Sequence, residues 1–140
     1  MLNYDTSRLE ISCREMLKIF GNQLSWDWDD RFETVLAEFS ATDKKSVHDI
    51  IKTYMGDIWN GGNSGDAPEV IKMIIDYFGG LNPGQQLFSS DPNQDGLFLC
   101  AWWPWGNGKT ISIRIGVFAD SLSNDDNQKL SMLFKGWFGV

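Results

Sequence analysis

The chain is poor in the residues that most often carry catalysis. Its 140 residues include one histidine, His48, and two cysteines, Cys13 and Cys100. A single imidazole excludes a histidine-rich metal site, and any serine–histidine–acid triad would have to use His48. Two cysteines make at most one bridge, which excludes a disulfide scaffold. Both sit in apolar settings and read as small buried hydrophobes suited to a reducing cytosol. No apolar run approaches the twenty or so residues that span a bilayer. The start, Met1-Leu2-Asn3-Tyr4-Asp5, has neither the basic region nor the apolar block of a secretory signal. Basic residues are also scarce, 12 Lys and Arg against 19 Asp and Glu, for a formal charge of -7.

That charge is unevenly spread. Residues 27–95 hold 13 acids and five bases, whereas residues 1–26 are neutral and residues 96–140 carry +1. An acidic middle repels phosphate backbones and anionic headgroups and attracts basic partners. Nucleic acid and membrane surfaces are therefore disfavoured as partners. Aromatics are plentiful, with 7 Trp, 9 Phe and 3 Tyr. They supply the apolar area that offsets chain entropy, and the length fits a single domain over 1–140.

The periodicity predicts an α+β fold: about five helices, with a small antiparallel sheet of two to four strands in the C-terminal half. Leu9, Cys13, Met16, Leu17 and Phe20 recur at helical spacing after a capping box at Ser7–Glu10. A second helix is expected from Trp26 to Ala41, with Trp28, Phe32, Val35, Leu36 and Phe39 on one face and Asp27, Asp29 and Asp30 at its anion-favouring start. A third opens at Thr42 or Asp43 and reaches Ile58, and a fourth is capped by Asp66 and stopped by Gly79-Gly80. The period then changes. Gln85–Ser89, Leu97–Trp103 and Lys109–Ala119 read as strands, the last with Ile111, Ile113, Ile115 and Val117 on one face. A final helix, capped near Ser123, carries Leu130, Leu133 and Phe134.

The motifs that resemble catalytic or ligand sites have simpler explanations. Asp91, Asn93, Asp95 and Gly96 match the first half of a calcium loop, but the closing position is Trp102 rather than Glu, so a turn is expected. Gly106-Asn107-Gly108-Lys109-Thr110 resembles the end of a phosphate loop, yet a strand follows where a helix is needed. It reads as a hairpin turn. No catalytic residue, metal site or cofactor is assigned. Sequence alone cannot place two carboxylates in one cleft, so a small hydrolase or carbohydrate-active domain using acids stays as the alternative reading.

The remaining signal is acid beside tryptophan. Trp26 and Trp28 flank Asp27, Asp29 and Asp30, and Trp105 follows Pro104 in a loop. Large contact area with charge around it suits a protein-binding surface. In size, charge, acidic patch and displayed tryptophans, the chain resembles small bacterial immunity proteins of contact-dependent inhibition systems. The resemblance covers no defined motif, so it assigns no residue. It implies a non-enzymatic, cytoplasmic inhibitor of a basic toxin nuclease. In that reading Asp27, Asp29, Asp30, Asp57 and Asp66 attract the partner, and Trp26, Trp28 and Trp105 anchor it. A structural subunit or adaptor, pairing with a second copy through its aromatics, is the third reading.

Overall fold

The computed structural model describes residues 2–140. Its centre is a six-stranded antiparallel sheet in the order β1-β2-β6-β5-β4-β3. The strands are β1 (Asp27–Asp29), β2 (Thr34–Ser40), β3 (Asp57–Trp59), β4 (Gln86–Ser89), β5 (Leu97–Pro104) and β6 (Thr110–Phe118). The α-helices among the described residues are α1 (Ser7–Phe20), α2 (Lys44–Tyr54), α3 (Glu69–Tyr77) and α4 (Asn124–Phe138).

Helices cover one face of the sheet and part of the other. On one, Leu9, Cys13 and Met16 of α1, Val47 and Ile51 of α2, and Leu130 and Phe134 of α4 meet Val35, Ala37, Cys100, Trp102, Ile113 and Ile115. On the other, Ile71, Ile74 and Ile75 of α3 cover Leu87, Leu97, Leu99 and Ala101. Leu97 to Trp102 of β5 are all buried, because successive side chains feed opposite cores. β6 alternates as expected, with its isoleucines toward three helices and Ser112 and Arg114 on the α3 side.

The architecture corrects the expectation of about five helices and two to four strands. The segment Trp26–Ala41 is a β-hairpin instead of a helix, and Asp57–Trp59 is an edge strand instead of a helix end. These two segments supply β1, β2 and β3, so both outer parts of the sheet come from chain that reads as helical. The cause is local. Asp29 Oδ1 accepts the N–H of Arg31 at 2.9 Å, closing a turn, and Glu33 leaves it with φ +53. Past that turn Val35, Ala37 and Phe39 follow a period of two. α2 ends at Tyr54, ahead of Gly56.

Helix ends follow the sequence in part. Ser123 Oγ accepts the Asp126 N–H at 3.1 Å, and Gly79 and Gly80 stop α3 at φ +89 and +93. Asp66, expected to cap that helix, lies in a short 3₁₀ turn, and Pro68 precedes α3 with no side-chain cap. Among the described residues, no helix is long and apolar enough to cross a membrane.

Candidate functional site

On the α3 side of the sheet, α3 and Phe32 cover β3, β4, β5 and part of β6. The strip over β1, β2 and the rest of β6 has no helix on it. Strand register arranges this strip in rows: Asp27 opposite Leu36 and then Arg114; Glu38 opposite Ser112 and then Trp103; Ser40 opposite Thr110. Asp27 and Glu38 are exposed and stand diagonally across the β1–β2 pair, about 7–8 Å apart by ladder geometry. Asp30 is exposed in the turn that follows β1.

Asp29 has a different role. Its Oδ2 accepts Arg114 Nε at 2.8 Å, with the two side chains 13% and 17% exposed. The Arg114 guanidinium lies 4.5 Å from the centroid of the Trp103 ring and 5.5 Å from that of Phe32. Burial alone would lift the Asp29 carboxyl. The hydrogen bonds from Arg114, Arg31 N–H and Phe32 N–H, with the guanidinium charge, outweigh burial and hold it below its ordinary value. This carboxylate fastens the edge strand to the sheet.

The tryptophans also divide. Trp28 packs toward the three-helix core, with Lys135 Nζ 5.4 Å from its ring centroid. Trp26 is wedged edge-on between Phe20 and Phe138. Trp105 is 44% exposed at the β5–β6 turn, where its backbone N–H donates to the Thr110 carbonyl at 2.8 Å. That puts it one row beyond Trp103, on the side of the strip away from Asp30. Asp57 lies on β3 at the opposite edge, roughly 24 Å from β1 at normal strand spacing, and Asp66 is in the loop beyond it. The structure therefore places Asp27 and Asp30 at the β1 edge, Trp105 at the far end of the strip roughly 20 Å from Asp27 at the same spacing, and Asp57 and Asp66 elsewhere. Glu38 belongs with the first group and was not singled out from the sequence. Strand alternation is the signal that would have found it.

The other candidate motifs are structural. The Asp91–Gly96 segment is a turn in which Asp91 Oδ1 accepts Asn93 N–H at 2.9 Å. Asp95 bonds the Ser121 hydroxyl and the Tyr4 hydroxyl. Burial would raise its carboxyl, but the bonds from Ser121, Tyr4 and Gly96 N–H lower it on balance. Asn107 Oδ1 accepts the N–H groups of Lys109 and Thr110, forming a tight hairpin turn. His48 meets the rings of Phe88 and Trp102 edge-on, and burial there lowers its pKa, favouring the neutral form. Cys13 and Cys100 are free and buried. Among the described residues, no three His, Cys, Asp or Glu side chains are placed to hold a metal ion.

No protein-family model matches the chain, and no curated protein or solved structure is significantly similar to it.

Proposed function

We propose that this chain is a non-enzymatic binding protein that captures a basic protein partner on the open strip of its sheet. Asp27, Asp30 and Glu38 attract the partner and Trp105 supplies apolar contact at the far end. The observation that carries the reading is the charge that folding leaves unneutralised. Only five of the 19 acidic residues, Glu10, Asp29, Asp49, Glu69 and Asp126, stand in ion pairs among the described residues. A toxin nuclease domain is the concrete partner that the immunity-protein resemblance implies. Its site for a polyanion would be covered by carboxylates in place of phosphates. The two free thiols fit a bacterial cytoplasm.

The hydrolase reading has less support. An acid catalyst needs a carboxyl held protonated near its working pH. Asp29, despite its burial, is held below its ordinary value by Arg114 and by backbone N–H groups, the opposite of what a proton donor needs.

Affinity capture from the source cell at 0.05 M salt, followed by association kinetics on the captured protein, tests the proposal. A basic partner should associate at least tenfold more slowly at 0.5 M salt. A similar loss is expected in the triple variant Asp27→Lys, Asp30→Lys, Glu38→Lys. A neutral or acidic partner, no partner, or an association rate indifferent to the triple reversal refutes the reading.

A further inference from the structure

α3 and α4 lie on opposite faces of the sheet, and a cavity of about 450 Å³ opens between them at the end where the β1–β2 turn sits. Its floor is Thr34, Leu99 and Gly116. Glycine at position 116 keeps the floor flat: a Cβ there would lie 3.0 Å from Thr34 Cγ2 and 3.5 Å from Leu99 Cδ1. The walls are mostly apolar, with the rings of Phe32, Tyr77 and Phe118 among them. At the rim Met73 and Tyr77 are 45% and 53% exposed, so apolar surface continues outward from the opening.

The polar lining is gathered on α4, with Asn124, Asn127, Gln128 and Ser131, and on Glu33 and Thr34. Glu33 is the only charged residue in the lining, and its carboxylate accepts Gln128 Nε2 at 3.2 Å. It is held there by φ +53, a conformation that residues with a side chain rarely adopt. Beside it Thr34 is buried, and its hydroxyl has no hydrogen-bond partner among the described residues. Burial, and then the charges of Glu33 and Asp29, raise the Tyr77 phenol, so it stays protonated at neutral pH.

We infer that this cavity binds a small, ring-bearing apolar molecule carrying one hydrogen-bond donor, with the rings against Phe32 and Tyr77 and the donor on Glu33. The volume lies within the roughly 300–1,000 Å³ of small-molecule sites, and an apolar lining with a few convergent polar groups is their usual construction. The lone carboxylate selects against anions. The cavity adjoins the Asp30 end of the acidic strip, but none of its lining residues is reversed in the partner-capture experiment, so the two tests can fail independently.

Fluorescence titration with 1-aminoanthracene, a neutral fused-ring amine, tests it on the full chain. The expected result is saturable one-to-one enhancement, with the anionic dye anilinonaphthalene sulfonate binding at least tenfold more weakly. Glu33→Gly should weaken aminoanthracene about tenfold, as loss of a charge-assisted hydrogen bond does. It should also raise the melting temperature by releasing the backbone, an opposition that a purely structural residue would not show. Tyr77→Ala, at an exposed rim position, should weaken binding severalfold. Met132→Glu, on the outer side of α4, should change nothing. Enhancement that fails to saturate, is equal for the two dyes, or is unchanged in both Glu33→Gly and Tyr77→Ala overturns the assignment.

Discussion

The Asp29–Arg114 pair makes a quantitative prediction about the edge strand. β1 has three residues and pairs with β2 alone, so little besides side chains holds it. Asp29 Oδ2 meets Arg114 Nε at 2.8 Å, two strands away, in a site where neither side chain is more than 17% exposed. At an effective dielectric near 20, opposite charges ~4 Å apart attract by about 4 kcal/mol. Desolvation takes back part of this, leaving a net coupling of roughly 2 kcal/mol. Urea unfolding of the wild type, Asp29→Asn, Arg114→Met and the double variant measures it. Each single change should cost about 3 kcal/mol, because it strands a mostly buried charged partner, and the double should cost about 2 kcal/mol less than the sum. The folded-state pKa of Asp29 lies below its ordinary 3.8, so its contribution is complete above that value and is lost as pH falls through the lowered one. The gap between wild type and Asp29→Asn should therefore be full at pH 7 and narrow progressively below pH 3.8. A coupling within about 0.5 kcal/mol of zero would refute the reasoning. So would a gap that stays constant as the solution is acidified.

Two further outcomes follow from backbone and burial. Glu33→Gly relieves a left-handed residue at the expense of the Gln128 hydrogen bond, for a net gain of about 0.5–1 kcal/mol in urea unfolding. Equal or lower stability would mean that the turn is unstrained. Burial pushes the Cys13 thiol up to about 12 and the Cys100 thiol higher still. Ellman's reagent should therefore find no reactive thiol in the native chain at pH 8 and two in guanidinium. Rapid native labelling would contradict the burial of both helix α1 and strand β5 around these sulfurs.

What the sequence discloses depends on how locally each element is specified. β6 shows its isoleucines at every second position, and α1 its buried stripe at every third or fourth, so both can be read without knowing their neighbours. The hairpin of β1 and β2 cannot. Trp28, Phe32, Val35, Leu36 and Phe39 fit a helical stripe, while Val35, Ala37 and Phe39 fit a strand equally well. The decision comes from the Asp29 side chain bonding Arg31 N–H, and from Ile111, Ile113 and Ile115 of β6, more than 70 residues away, lying beside β2. β3 is harder still, with three residues whose partners in β4 lie about 30 positions later.

The same ambiguity decides which acids are available to a partner. On a helix, Asp27, Asp29 and Asp30 would share its first turn and serve the helix dipole together. On the hairpin they separate. Asp29 turns inward to Arg114, Asp30 lies in the turn, and Asp27 joins Glu38, which a helical reading assigns to no site. Trp105 needed no such long-range knowledge, since a residue after Pro104 in a glycine-rich turn has little to bury it. Charge composition can therefore suggest a basic partner before the fold is known, but only strand register identifies the carboxylates that would meet it. Reversing Asp29 would confuse loss of the edge strand with loss of attraction. Asp27, Asp30 and Glu38 can be reversed without breaking an ion pair among the described residues.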